Sequence, residues 1–246
     1  MSDSARLRTG GSVLRGVGVS SAVATAVLSA VAFGVAVTTP PRTGPFAALG
    51  TAIAYPYSAA AQFVPRDFLW MYPALAMMLT FVVLDACVRQ LATDRRLLGT
   101  LGLGFAAASM TVVAIDYFIQ LRVVQPALLN GELDGLVIIS QYNPHGVFIA
   151  LEELGFLLAG LAFCFLAFTL GSTKLERAAR WVLLVSSVLV AGSFVGLSFA
   201  FGFGVEYRYE VAAIAFVWLT LTIVGGLLAF VFARPESQGT ARQSCA

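Results

Sequence analysis

The sequence has few charged residues and a single histidine. Charged residues make up 11% of its 246 amino acids, against roughly 25% in an average soluble domain. One histidine, His145, cannot supply bis-histidine haem ligation or the histidine cluster of a membrane di-iron oxidase. We therefore expect no metal site and no cofactor.

Cysteine and lysine are also scarce, which excludes further classes. No Cys-x-x-Cys pair is present for thiol exchange. The positions of Cys87, Cys164 and Cys245 argue against a stable disulfide outside the cytoplasm. The only lysine, Lys174, lies in a polar stretch, so a rhodopsin-type Schiff base within the membrane is excluded. The net charge of +2 is spread over short segments, and nucleic-acid binding is not expected.

Apolar residues, in contrast, dominate the chain at 59%. Six runs with little or no charge are each close to the ~20 residues that an α-helix needs to cross a bilayer. These runs are 16–41, 68–84, 97–115, 154–173, 181–205 and 211–233. The sequence predicts an all-α, polytopic membrane helix bundle with six transmembrane helices.

The positive charges predict an orientation. With six helices, eleven Lys and Arg residues fall on the side that holds both termini and four fall on the other. Because positive charge collects on the cytoplasmic side, both termini are predicted to be cytoplasmic. The expected location is the cell membrane, either a prokaryotic inner membrane or a plasma membrane.

This orientation divides the chain into three parts. We predict a cytoplasmic segment at 1–15, a single transmembrane domain at 16–233 and a disordered cytoplasmic tail at 234–246. A cleaved signal peptide is the alternative for the first run, although that run exceeds the ~7–15 residues of a typical signal-peptide apolar core.

On the side opposite the termini, two of the connections between membrane helices are predicted to contain short interfacial segments. Segment 38–67 contains five prolines around an apolar stretch at 46–63, a composition that favours an interfacial or re-entrant segment. Segment 124–142 is predicted to be a short amphipathic piece on the outer surface.

Three carboxylates interrupt the apolar stretches of the third and fourth helices: Asp116, Glu152 and Glu153. A carboxylate in lipid is costly unless a partner or water compensates it. Asn143 and Pro144 predict the start of the fourth helix, and a rise of ~1.5 Å per residue then brings Asp116 and Glu152 to one depth. Acids that share a low-dielectric pocket cannot all ionise, so at least one is expected to hold a proton at neutral pH.

Other side chains near these acids form a predicted vestibule. Gln120 lies one turn beyond Asp116, and His145 is seven residues before Glu152, which would place that pair on one helical face. The remaining candidates for substrate binding are Tyr117, Arg122 and Tyr142.

Small residues recur on the helices that carry the acids, and small residues let helices approach closely. On the third helix this stripe is Gly102, Ala106 and Ser109, continuing to Asp116 and Gln120. On the fourth it is Gly146, Glu153, Gly160 and Cys164. These stripes are predicted to face the bundle, and Gly192 with Gly196 forms a similar pair on the fifth helix. Such faces also allow a homo-oligomer.

Three interpretations of the acids remain open at this point. They are hydrated at the outer interface, or they pair with Arg122 or Arg208 to hold helices together, or they form a working site. Elsewhere, Asp85 and Arg89 are predicted to form an i, i+4 pair.

A working site admits two functional classes. The first is a membrane enzyme of isomerase or cyclase type in which Asp116, Glu152 and Glu153 perform acid–base catalysis on a lipophilic substrate. The second is a proton-coupled small-solute transporter or channel component, with His145 and Gln120 lining its vestibule. A non-catalytic assembly or sensor subunit is the third alternative. The expected partners are membrane lipids or a lipophilic small molecule, with no nucleic acid.

Overall fold

The computed structural model describes residues 3–38, 43, 45, 53–91 and 93–234. Across these residues the chain is helical and forms no β-strand. Its α-helices are α1 (Asp3–Val37), α2 (Val64–Leu91), α3 (Arg96–Ile119), α4 (Gln125–Asn130), α5 (Leu136–Ile139), α6 (Val147–Thr169), α7 (Lys174–Phe201) and α8 (Tyr207–Ala233). The predicted tail at 234–246 falls almost wholly outside the described residues, as does much of 38–67.

Six helical stretches are long and apolar enough to cross a membrane, at 23 to 35 residues each. They are Gly11–Val37, Ser58–Leu91, Arg96–Asn130, Val147–Thr169, Lys174–Gly204 and Tyr207–Ala233. The prediction of an all-α chain with six long apolar helices is confirmed, and these helices indicate an integral, multi-pass membrane protein. The orientation of the termini and the identity of the membrane stay predictions.

The six long helices form a closed ring. Each packs on its neighbour along the chain, and α1 packs on α8. In addition, α6 contacts α2 and α8, which makes it the most central helix. Because the helices alternate in direction, α2, α6 and α8 begin at the end where α1, α3 and α7 terminate. We call this the site end, and the opposite end the distal end.

Small residues on α3 face α6, as predicted. Gly102 lies against the backbone of α6 at Leu166, and the Ser109 hydroxyl donates to the Gly155 carbonyl over 2.7 Å. Gly192 and Gly196 behave differently, because no described atom lies within 4 Å of a methyl group placed on either. The prediction that this pair packs closely against a helix of the same chain is wrong, and the homo-oligomer stays a prediction.

The fourth membrane helix begins later than predicted. Asn143 does not cap it, because its Oδ1 accepts from the His145 backbone N–H over 3.0 Å and its Nδ2 donates to the Val137 carbonyl over 2.9 Å. Asparagine readily closes such a local turn. α6 therefore starts at Val147, with Gly146 as its N-cap.

The third membrane helix, in turn, continues past Arg122. A π-helical turn at Gln120–Val124 joins α3 to α4, and this wider turn accommodates Pro126, which lacks an N–H and would crowd an α-helical carbonyl. Gly131, with φ 75°, ends α4. Segment 124–142 is not simply a surface piece, since Val124, Leu128 and Leu136 are buried in a second small core with other apolar residues, among them Ile53 and Val64.

The turn between α7 and α8 holds a strained residue. Glu206 has φ 47° and ψ −129°, which glycine adopts far more readily. We expect Glu206→Gly to raise the unfolding temperature in detergent, because relief of about 1–3 kcal/mol of strain exceeds two partly exposed ion pairs worth about 0–1 kcal/mol each. These pairs join Glu206 to His145 (3.9 Å) and Arg208 (4.0 Å). Glu206→Ala, which loses the pairs and keeps the strain, is expected to lower that temperature.

Candidate functional site

Three helices bring carboxyl groups together in the interior of the site end. α3 supplies Asp116, which is 1% exposed, α6 supplies Glu152, which is 0% exposed, and α8 supplies Glu210. The carboxyl groups of Glu152 and Glu210 lie within hydrogen-bonding reach of each other. Asp116 is close enough to both to interact electrostatically. The structure thus brings the predicted pair Asp116 and Glu152 together and adds Glu210.

Glu153 completes the group from the neighbouring position on α6. It is half-buried and interacts electrostatically with Glu152 and with the Tyr209 hydroxyl. The Tyr209 ring packs edge-on against Phe194 of α7, with ring centroids 5.1 Å apart. We call Asp116, Glu152, Glu153 and Glu210 the carboxyl cluster.

Tyr117 connects the carboxyl cluster to an aromatic wall. Its side chain is fully buried, and its hydroxyl donates a hydrogen bond to Glu152 Oε1. The ring stacks on Phe148 at 5.8 Å and meets Trp70 edge-on at 5.3 Å. Trp70 in turn contacts Trp218, with ring centroids 6.3 Å apart. These contacts fix the Tyr117 hydroxyl at Glu152.

No cation neutralises the carboxyl cluster in the part of the chain that the structure describes. Arg208 lies beside Glu206 and over the Phe201 ring, 4.3 Å from its centroid, and Arg122 is exposed. The interpretation that Arg122 or Arg208 pairs with these acids is therefore wrong. Two adjacent buried carboxylates repel each other strongly, so we infer that Glu152 and Glu210 share a proton. An acid that donates to a carboxylate replaces this repulsion with a charge-assisted hydrogen bond.

Several polar atoms around the carboxyl cluster have no hydrogen-bond partner among the described residues. Most buried polar groups in proteins are hydrogen-bonded, so such a collection marks groups that are free to bind a polar molecule. They include both acceptors and donors: Asp116 Oδ2, Glu152 Oε2, Glu210 Oε2, the Tyr209 hydroxyl and Trp218 Nε1.

Two of the predicted vestibule residues hold a loop instead. Gln120 donates from Nε2 to the Ile139 carbonyl, and its Oε1 accepts from the Gln141 backbone N–H over 3.1 Å. Tyr142 donates to Asp67 Oδ2 over 2.6 Å, and Gln141 Nε2 donates to the same oxygen over 2.6 Å. Burial and the adjacent Asp67 carboxylate raise the pKa of the Tyr142 hydroxyl, so it remains a donor.

α8 holds the same loop from the other side. The Tyr207 hydroxyl donates to the Gln141 carbonyl over 2.8 Å and lies 2.7 Å from Thr43 Oγ1. Thr43 in turn donates to the Tyr142 carbonyl over 2.7 Å. The loop at 139–143 is thus fastened to α2, α3 and α8 at the site end.

We expect Tyr142→Phe to loosen this loop. The substitution removes one of the side-chain hydrogen bonds to the buried Asp67 carboxylate, and such a loss costs about 1–3 kcal/mol. The expected result is a lower unfolding temperature in detergent and faster amide hydrogen exchange at 139–143. Tyr72→Phe is the matched control, because Tyr72 is 54% exposed on α2. Equal exchange in the two variants would contradict the proposed fastening.

The two remaining predicted residues lie outside the carboxyl cluster. His145 precedes α6, its side chain is 63% exposed, and it faces Glu206 rather than Glu152. The prediction that His145 and Glu152 lie on one helical face is wrong, because the helix that would align them begins after His145. Arg122 is exposed as well.

Two functional residues were not predicted from the sequence: Glu210 as a member of the carboxyl cluster and Asp67 as a partner of the loop at 139–143. The sequence contains a signal for both residues, because each begins a helical stripe of apolar residues. Glu210 begins a helical stripe that continues through buried Ala213 and Val217, and Asp67 begins one that continues through buried Met71 and Ala74.

No group of three or more His, Cys, Asp or Glu side chains in the described ranges is arranged to hold a metal ion. Comparison of the chain with protein-family models, with curated proteins and with solved structures finds no match. The function is therefore inferred from the residues of the chain itself.

Proposed function

We propose that the chain is a membrane enzyme that performs acid–base chemistry, of isomerase or cyclase type, on a lipophilic substrate. The observation that carries the proposal is the buried series from the Tyr117 hydroxyl through Glu152 to Glu210. In this series, Glu152 and Glu210 share a transferable proton and one carboxylate charge, and the Tyr117 hydroxyl is a hydrogen-bond donor held in place. All three groups lie where α3, α6 and α8 meet. Asp116 and Glu153 supply further carboxyl groups beside it.

Isomerisation needs one group that gives a proton and another that takes one, with no net change in the number of protons. The proton shared by Glu152 and Glu210 is the one that is given. Asp116 or Glu153, when ionised, takes a proton from another position of the substrate and returns it to the Glu152–Glu210 pair before the next turnover. The Tyr117 hydroxyl stabilises the carboxylate that Glu152 becomes. Positioned proton transfer of this kind contributes about 10²–10⁴-fold to a rate.

The surroundings of the carboxyl cluster favour a lipophilic substrate. Tyr117, Phe148, Trp70 and Trp218 provide a continuous aromatic wall, which suits an apolar molecule. The free Trp218 Nε1 and Tyr209 hydroxyl are available for one polar group of that molecule.

Deuterium transfer tests this proposal even while the substrate is unidentified. The purified protein is placed in nanodiscs made with a total lipid extract of its native organism and incubated in D₂O. Lipids are then extracted into H₂O, which removes deuterium from O–D and N–D groups and leaves deuterium bound to carbon. We expect mass spectrometry to show a labelled lipophilic molecule with the wild-type protein and none with Glu152→Gln.

The control for this experiment is Glu132→Gln, an exposed glutamate in the segment between α4 and α5. It is expected to label the same molecule at the wild-type rate. Equal labelling by Glu152→Gln, or no carbon-bound deuterium with the wild-type protein, would show that the carboxyl cluster does not transfer protons to a lipid.

One observation favours the second candidate, a proton-coupled transporter. A further buried carboxyl group, Asp85, lies in the distal half of the bundle. A transporter would change the pH inside dye-loaded proteoliposomes at a rate that depends on Glu152, and it would leave the lipids unlabelled.

A further inference from the structure

Asp85 is a buried carboxyl group far from the carboxyl cluster. Its side chain on α2 is 0% exposed, and neither carboxyl oxygen has a hydrogen-bond partner among the described residues. It lies against Gly102, where a methyl group would stand 3.5 Å from Asp85 Oδ2 and 3.3 Å from the Leu166 backbone nitrogen. Fourteen residues of α3, or ~21 Å at ~1.5 Å per residue, separate Gly102 from Asp116. Asp85 is therefore not part of the carboxyl cluster.

The predicted ion pair between Asp85 and Arg89 does not form. Arg89 instead donates from Nε to the Thr100 hydroxyl over 3.1 Å, and its aliphatic chain packs on Gly99. Thr100 donates onward to the Arg96 carbonyl over 2.7 Å. Of the ionisable groups on α2, α3 and α6 around this position, Arg89 is the one whose charge acts on Asp85.

We propose that Asp85 is a proton-binding site of the distal half, with Arg89 as its exchangeable partner. An unpaired carboxylate is too costly at a fully buried position, so the group that binds there must be a cation. A metal ion such as Ca²⁺ requires six to eight oxygen ligands, whereas Asp85 offers one carboxyl group beside helical backbone. A proton needs only one oxygen.

Release of this proton has a defined geometry. Asp85 passes its proton to a water molecule at the distal end and becomes a carboxylate. Arg89 then turns from the Thr100 hydroxyl to the carboxylate, which an i, i+4 spacing on one helix allows. Protonation reverses both steps. The structure shows Arg89 on Thr100, the arrangement that belongs to the neutral acid in this proposal. This inference is independent of the proposed enzyme activity.

Dicyclohexylcarbodiimide tests the proton, because it reacts with protonated carboxyl groups in apolar surroundings and leaves a stable N-acylurea. After treatment at neutral pH, peptide mass spectrometry is expected to show the adduct on Asp85 and not on Asp94, an exposed acid of the same end. Thr100→Val removes the alternative partner of Arg89. Without that partner, the state with a carboxylate at Asp85 and Arg89 beside it is favoured about 2- to 12-fold more, the Boltzmann factor for a hydrogen bond of roughly 0.5–1.5 kcal/mol. Adduct formation on Asp85 is therefore expected to fall off at a lower pH than in the wild type.

An unmodified Asp85 in folded protein would overturn the proton site. A pH dependence of the adduct yield that is unchanged by Thr100→Val would overturn the exchange with Arg89. Asp85→Asn supplies a second measurement, because asparagine resembles the neutral acid in size and charge. Its unfolding temperature in detergent is expected to match the wild type, and a large decrease would mean that the native state requires the carboxylate. None of these measurements depends on Glu152.

Discussion

Glu210→Gln is expected to slow deuterium transfer to the substrate by about 10²–10⁴-fold and to leave the unfolding temperature in detergent nearly unchanged. The Glu210 carboxyl group lies within hydrogen-bonding reach of Glu152, and we infer that the pair shares a proton. A glutamine at this position donates an amide N–H to Glu152, which then stays a carboxylate with no proton to give. Because glutamine and glutamate have nearly the same volume, the packing of α6 on α8 is preserved.

The matched control for this variant is Glu206→Gln. It makes the same chemical change four residues earlier, in the turn before α8, at a side chain that is 26% exposed and lies beside His145 and Arg208. We expect it to transfer deuterium at the wild-type rate. A Glu210→Gln protein that also keeps the wild-type rate would rule out the shared proton as the one delivered.

The six membrane helices follow from the sequence because the bilayer sets a strong requirement. A helix in lipid must be apolar over about 20 residues, and that requirement is visible in the sequence whatever the tertiary contacts are. Each of the six runs found in the sequence lies largely within one of the six long helices. The periodicity of α3 also placed Gly102 and Ser109 on the side that packs on α6.

Helix boundaries and loops are harder to predict from the sequence, because the same local motif is compatible with two different structures. Asn143 before Pro144 satisfies the rules for a helix start, yet the same side chain also closes a turn when a carbonyl such as that of Val137 lies nearby. Pro126 is equally ambiguous, since a π-helical turn can absorb it. Contacts distant in sequence decide both cases, and no local pattern contains them.

The carboxyl cluster was partly predictable for a related reason. Helix rise and an antiparallel hairpin predict Asp116 near the depth of Glu152, and the structure brings the two together although both helix ends used for that prediction differ from the observed ones. Glu210 enters from α8, and only the packing of α8 on α6 makes it a neighbour of Glu152. The predicted start of the fourth helix at Asn143 and Pro144 put His145 on that helix. Because α6 starts at Val147 instead, His145 lies outside the helix and faces Glu206.

Gly225→Ala is expected to destabilise the bundle more than any other glycine-to-alanine change in α8. A methyl group at this position would stand 2.7 Å from the Ala22 carbonyl oxygen and 2.9 Å from the Ala26 backbone nitrogen of α1. Because both contacts are with backbone, no side chain can turn aside and α1 itself must move. Overpacking of this kind costs about 1–3 kcal/mol and occasionally more.

The neighbouring glycine makes the test specific. Among the described residues, nothing lies within 4 Å of a methyl group placed on Gly226, and alanine favours a helix over glycine by about 1 kcal/mol. Thermal unfolding in detergent should therefore show opposite shifts, downward for Gly225→Ala and level or upward for Gly226→Ala. Equal unfolding temperatures for the two variants would contradict the close crossing of α1 and α8. That crossing matters for the site, since α8 carries Glu210 and α1 holds α8 through a hydrogen bond of 2.6 Å from the Ser29 hydroxyl to the Trp218 carbonyl.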